Sequence, residues 1–290
     1  MGKRLRPTQA PPLSPMPELP EVETTRRGLD TIITGKRLLA VHVHEARMRW
    51  PVTPGLNLIL RGKQLLACER RGKYLLLRFE HGVLLVHLGM SGSMRHVQAG
   101  EFLRKHDHVE WCFDGVTVRL NDPRRFGAVL WHSLEAGPVE AHPLLAALGI
   151  EPFDPAFTPQ LLHAGLQSRS VAVKQALLGG QIVVGVGNIY ASESLFAARI
   201  HPRTPANRIS PARAQRLHAA ILITLENALT SGGSTLRNYT GTQGEPGAYF
   251  DIHAAVYDRE HQPCRTCGTP IRKIVQGQRA TFFCPKCQRY

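Results

Sequence analysis

Acidic residues are scarce in this chain. Across 290 residues there are 22 Asp and Glu against 36 Lys and Arg, a formal charge of +14. The bases are spread along the chain and not massed in one tail, which favours a basic face on a folded body. The usual partner of such a face is a phosphate backbone. Long hydrophobic runs are also missing. None reaches the roughly 18 residues that a membrane span needs, which indicates a chain without a membrane partner. Cysteine is rare, with six residues in all, four of them in the last 27. The other two, Cys68 and Cys112, sit in apolar stretches and read as buried thiols. No disulfide framework is indicated, so the compartment is a reducing one. The first 15 residues, Met1 to Pro15, lack apolar periodicity and the hydrophobic core of a secretory signal. They are basic and then proline-rich, and Met16 follows at once. Residues 1–15 therefore read as a disordered leader or a misassigned start.

What is present suffices for two compact domains and a small metal module, with a hydrophobic content of 43%. Cys264-x-x-Cys267 and Cys284-x-x-Cys287 are separated by 16 residues. This is the spacing of a four-thiolate site for one structural zinc ion, with each tight turn presenting two sulfurs. The loop between them, Arg272 to Ala280, is basic and too short for a core of its own. Metal would set its shape and present Arg279 at a hairpin tip.

The periodicities give an order of elements. Residues Pro20 to Asp30 read as a helix, with acids early and bases late to suit the helix dipole. From Arg37 to about His132, short β-like runs alternate with Gly, Asp and Pro signals, which indicates an antiparallel sandwich or barrel. A proline-rich linker follows at 149–159, and a helical pattern runs from Gln160 to about Thr230. The fold class is α+β and multidomain, with strands first, helices second and a metal ribbon last.

Three segments carry chemistry. Val184 to Ala191 places Gly185, Gly187 and Asn188 at the mouth of a helix, where unpaired N–H groups suit one phosphate. Asn121 to Gly127 puts Arg124 and Arg125 beside Phe126 in a turn after a strand, and Met90 sits on a glycine-flanked turn. Arginine reads phosphates or base edges, and phenylalanine can wedge into a base step. Pro17 and Glu18 follow Met16. If translation starts at Met16 and that residue is removed, Pro17 carries a free secondary amine, partly neutral near pH 7 and nucleophilic. Glu18 beside it could protonate a leaving or ring oxygen. If translation starts at Met1, the same nitrogen is an amide and that chemistry is closed.

Together these pieces resemble bacterial formamidopyrimidine-DNA glycosylase. The resemblance runs from Met16 to Tyr290 and rests on MPELPEVET, RRGKYLL, HLGMSGS, KHDHV, DPRRFG, GVGNIYASE and the four-cysteine ribbon. It implies an N-terminal catalytic β-sandwich with flanking helices over 16–148. After the linker, it implies a helix-two-turns-helix domain with a lesion-capping loop over 160–256 and a zinc finger over 257–290. It implies that Pro17 is the nucleophile, that Glu18 protonates the sugar, that Lys73 assists β-elimination, and that Arg279 binds flanking phosphates and assists δ-elimination. His106, Arg124, Arg169 and Asn188 are implied as DNA contacts. Met90, Arg124 and Phe126 are implied to fill the space left by an extruded nucleotide.

The implied enzyme is a cytoplasmic monomer, associated with the nucleoid through its DNA. It removes oxidised purines from double-stranded DNA and cuts the strand by β,δ-elimination, with zinc structural and no redox cofactor. Two alternatives stand beside it: an endonuclease VIII type acting on oxidised pyrimidines, and a catalytically inactive DNA-binding relative if the leader is retained. The leader has no counterpart in the family. The capping loop at 244–250 is one residue longer than the usual pattern.

Overall fold

The computed structural model describes residues 17–98, 100–233 and 248–290. The leader through Met16 and the part of the capping loop at 244–247 lie outside the described residues, and so do the expectations placed on them. No described helix is long and apolar enough to cross a membrane.

Helix α1 (Leu19–Ile33) opens the described chain. Its buried Val22, Thr25, Leu29 and Ile33 recur at spacings of three and four, the period of one helical face. Eight antiparallel strands follow: β1 (Leu38–Val43), β2 (Leu65–Arg71), β3 (Tyr74–Phe79), β4 (Gly82–His87), β5 (Ser93–Val97), β6 (Asp107–Phe113), β7 (Val116–Asn121) and β8 (Ala128–Ser133). The short helix α2 (Leu56–Leu60) interrupts them after β1. They form two four-stranded sheets, ordered β2-β3-β4-β8 and β1-β6-β7-β5. One hydrophobic core draws on both sheets and on α1, so the expected sandwich is present.

Strand β4 is buried along five of its six residues and shows no alternation. The reason is that both its faces are covered. Leu84 and Val86 face the sandwich core, while Val83 and Leu85 pack with Val139 and Leu145. Strand β6 does alternate. Val109, Trp111 and Phe113 point inward, which leaves Glu110 and Cys112 half-exposed on the outer face. The expectation of a buried thiol at Cys112 is therefore corrected. Its apolar neighbours belong to the opposite side of a period-two strand.

The helical half contains α3 (Pro159–Gln167), α4 (Val173–Leu178), α5 (Asn188–Ala197), α6 (Pro211–Thr230) and α7 (Tyr249–Ile252). Thr158 and Ser210 cap α3 and α6 by accepting backbone N–H groups, each followed by proline in the first turn. The hairpin of β9 (Arg272–Gln276) and β10 (Arg279–Phe283) ends the fold. Cys264, Ile271, Phe282 and Cys284 belong to the same hydrophobic cluster as α3 to α6. The ribbon is thus packed into the helical half and is not a separate bead.

Candidate active site and nucleic-acid face

Pro17 and Glu18 are both buried where α1 meets the N-terminus of α5. The first turn of any helix leaves backbone donors unpaired, and here two of them are spent on Glu18. Its Oε1 accepts from Ile189 N–H at 2.9 Å and its Oε2 from Tyr190 N–H at 3.3 Å. This corrects the expectation of a phosphate on those amides, because the protein's own carboxylate takes them. The glycines are explained by the same contact. A Cβ on Gly187 would lie 2.2 Å from Glu18 Cδ, and one on Gly185 would lie 2.5 Å from Leu19 Cδ1. Glu21 completes the corner, accepting from Glu18 N–H at 2.8 Å and from the Tyr190 hydroxyl at 2.6 Å.

Burial pushes the Glu18 carboxyl up to about 7, and the neighbouring Glu21 charge adds to the rise. Lys73 and the two amide donors oppose it. Desolvation wins because the carboxyl is almost wholly removed from water. Lys73 itself is lowered, by burial first and then by the Arg279 charge, while Glu18 pulls it back up. The shift places the Glu18 carboxyl where it can hold and give up a proton near neutral pH.

Lys73 occupies the two-residue turn between β2 and β3, where Gly72 adopts a φ of +58°. This turn presses so closely on the chain before α5 that a Cβ on Gly72 would lie 2.4 Å from Val184 Cγ2. Glu151 holds the turn from the linker. It accepts from Gly72 N–H at 2.6 Å, Arg70 at 2.7 Å and Arg71 at 2.9 Å.

A cleft of about 750 Å³ is lined by Met90, Arg124, Phe126 and Arg279 together with Arg47, Met48, Arg49, His87, Gly89 and Arg125. Four residues from three separate sequence motifs therefore share one cavity. The turn of Met90 and the loop of Arg124 and Phe126 interlock, since a Cβ on Gly89 would lie 2.6 Å from Gly127 N. Asp122 pins the loop by accepting from Gly127 N–H at 2.8 Å, and Arg125 takes a left-handed φ of 55°. Phe126 remains exposed, with the Arg124 guanidinium 4.8 Å from its ring centre. His106, also left-handed, meets this loop through its carbonyl, which accepts from Asp122 N–H at 3.0 Å.

Arg279 opens β10 directly after the turn Gly277-Gln278, where both residues have positive φ, the geometry of a tight hairpin. Asn188 ties that hairpin to α5, donating to the Ala280 carbonyl at 3.0 Å and to the Tyr257 hydroxyl at 3.3 Å. Arg169 is not among the cleft's lining residues. It follows α3 and donates to Gln181 at 3.3 Å.

Several residues of the site escaped the sequence reading. Lys174 is wholly buried beneath the hairpin, donating to Thr281 Oγ1 at 2.8 Å and the Ala280 carbonyl at 3.2 Å, and burial pushes it down to about 7. A lysine in a helical pattern gives no sign of this. His87 is lowered to about 4 by burial and then by the charges of Lys73 and Arg49. It is therefore neutral at pH 7, its Nδ1 accepting from Gly89 N–H at 3.0 Å. Glu193 is buried and accepts N–H groups from Ala255, Val256 and Tyr257, which fixes the chain entering the ribbon.

The four sulfurs of Cys264, Cys267, Cys284 and Cys287 lie within 4.8 Å of one another. Cys267 and Cys284 are 3.5 Å apart, and Cys264 and Cys287 are 3.9 Å apart. Four converging thiol sulfurs are the donor set of a closed tetrahedral zinc site.

Three family models match this chain in order. They are the formamidopyrimidine-DNA glycosylase N-terminal domain over residues 16–129, the corresponding H2TH domain over 148–240, and the zinc finger found in FPG and IleRS over 262–289. The chain belongs to the formamidopyrimidine-DNA glycosylase family. A family member from Bordetella pertussis strain Tohama I is 68% identical over 274 residues, 94% of this chain and 100% of the relative. One from Burkholderia cenocepacia strain HI2424 is 58% identical over 276 residues, 94% of this chain and again the whole of the relative. The solved structure of MutM (Fpg) from Thermus thermophilus superposes with a TM-score of 0.84 at 39% identity, covering 94% of this chain and 98% of that one. A Lactococcus lactis Fpg mutant bound to Fapy-dG-containing DNA gives 0.87 at 33% identity, covering 94% and 100%. Family membership makes this chain a DNA-repair glycosylase with a zinc finger.

Proposed function

We propose that this enzyme excises oxidised purines, 8-oxoguanine and ring-opened formamidopyrimidines, from duplex DNA and then cuts the strand at the resulting site. One observation carries the reading. A buried carboxyl raised to about 7 sits beside Pro17 and is electrostatically coupled to Lys73. In this reading the functional chain begins at Pro17, after loss of Met16. The first family model starts at residue 16, and relatives are matched over their whole length by 94% of this chain.

The Pro17 amine forms a bond to the sugar's anomeric carbon as the bond to the damaged base breaks, and the proton that the amine sheds passes to the departing base. Glu18 donates its proton to the ring oxygen, so the sugar opens to an iminium. The iminium acidifies the adjacent sugar proton, and Lys73 assists its removal in β-elimination. Arg279 holds the flanking phosphates and assists the δ step. Met90, Arg124 and Phe126 occupy the gap in the stack, offsetting an extrusion cost of a few kcal/mol. His106, Arg169 and Asn188 add backbone contacts. The family's structural neighbours include a complex with carbocyclic 8-oxo-G-containing DNA, which favours purine lesions. The enzyme acts as a monomer in the cytoplasm, on chromosomal DNA.

Borohydride trapping on lesion-bearing duplexes tests this. Protein starting at Pro17 is expected to give a covalent adduct with 8-oxoguanine DNA, and protein retaining Met1 to Met16 to give none. Equal trapping by both forms would remove Pro17 as the nucleophile. Adducts with oxidised pyrimidines alone would reassign the substrate.

A further inference from the structure

The outer face of the sheet β1-β6-β7-β5 carries three side chains that the repair chemistry does not use. His42 on edge strand β1 stands directly opposite Glu110 on β6, and Cys112 follows two residues along β6 on the same face. The imidazole nitrogen, carboxylate oxygen and thiol sulfur of these residues lie within 4.8 Å of one another. We propose that His42, Glu110 and Cys112 form a second metal site, for one borderline divalent cation of the zinc class.

The donor set selects the ion. Thiolate and imidazole disfavour magnesium and calcium, whereas sulfur, nitrogen and one carboxylate oxygen together suit zinc or cobalt. The carboxylate is already oriented for the task. Its Oε2 accepts from the Arg119 guanidinium, which turns Oε1 toward Cys112 Sγ, 3.7 Å away. Such an outer partner fixes a ligand's direction, as carboxylates commonly do for metal-bound histidines. The thiol proton now aimed at Oε1 is the one an incoming cation displaces. Tetrahedral edges around zinc measure about 3.5 Å, given Zn–S and Zn–N lengths of about 2.3 and 2.0 Å. His42 is exposed, so a change of rotamer closes the remaining gap without moving the strand.

Three protein ligands leave one coordination position for water. His44 lies just past the end of β1, two residues after His42, with its ring centre 6.3 Å from that of His42 and the planes nearly parallel. It offers a second imidazole at the rim. The Arg119 charge weakens the cation's hold, so this site binds less tightly than the site of four thiolates. Occupancy clips edge strand β1 to its neighbour β6 and stabilises the β-half as any ligand specific to the folded state does.

Cobalt titration of the zinc-loaded protein tests the site. Wild type is expected to bind one further equivalent, with a sulfur-to-cobalt charge-transfer band from a single thiolate and a rise in Tm. Cys112→Ser and His42→Ala are each expected to weaken that equivalent at least about tenfold. Both are expected to leave finger zinc content and base excision unchanged. His42→Ala alters an exposed side chain, so it reports even if Cys112→Ser perturbs the strand. The proposal fails if no second equivalent binds, or if both variants keep wild-type affinity, which would place the cobalt in the finger.

Discussion

At the scale of single residues, the site depends on one carboxyl kept out of water and yet held by two backbone donors. Burial and the amides of α5 act in opposite directions on Glu18, and burial prevails, leaving it near 7. The sign follows directly. The acid form dominates below about 7, so excision that uses Glu18 as an acid is expected to decline as pH rises through that value. On the acid side the rate should fall as the Pro17 amine gains its proton, which gives a bell-shaped profile of single-turnover rate. Glu18→Gln is expected to abolish excision at every pH, and residual activity with an unchanged alkaline limb would assign that limb to another group. Gly187 offers a second check. A methyl there overlaps Glu18 Cδ at 2.2 Å, so Gly187→Ala displaces the carboxyl. Excision is expected to drop by about 10²-fold, the scale of a misplaced reacting group, with folding followed separately by circular dichroism.

At the scale of elements, the corner that holds Glu18 and Lys73 is built from pieces far apart in the chain. The turn of the β2–β3 hairpin, the linker and the entry to α5 meet at Glu151, Gly72 and Val184. Charged hydrogen bonds of this kind contribute about 1.5–3 kcal/mol each when partly buried. Glu151→Ala removes three of them and leaves Arg70 without this partner, although Arg70 keeps Glu23 at 3.0 Å. Urea unfolding is expected to show a loss of about 2 kcal/mol, within the range for losing one such bond outright while water replaces the others. Strand cutting should suffer more than base release because Lys73 loses its fixed turn. Equal losses in both steps would mean that the hairpin positions the whole site and not Lys73 in particular.

At the scale of the whole molecule, charge and metal govern different properties. The surplus of 14 positive charges predicts DNA binding that weakens steeply with salt. Arg279→Ala is expected to lower affinity across sequences and reduce the slope of log K against log salt by about 1. Binding isotherms over a salt series would show whether that arginine meets phosphate at all. Zinc removal acts through packing. Cys264 and Cys284 share the hydrophobic cluster of α3 to α6, so chelation is expected to lower the Tm of the helical half as well as to release Arg279. Hydrogen exchange should show protection lost in α5 and β10 while β4 keeps its own.

The amino-acid order determined whatever depends on neighbours along the chain. Paired cysteines at fixed spacing marked the metal ribbon, and short β-like runs bounded by Gly, Asp and Pro signals marked the strands, because each is decided within a few residues by backbone geometry. The same locality misled where burial has two sides. Cys112 sits among apolar residues that face the other way, and the amides at the mouth of α5 are occupied by a carboxylate 171 residues distant. Lys174 under the Arg279 hairpin, Glu151 at the Lys73 turn and Glu193 beneath the ribbon carry no local mark. Their roles arise when packing removes them from water and forces each to find a partner. Only tertiary structure chooses that partner, since desolvation depends on what lies across the fold and not on what precedes or follows in the chain.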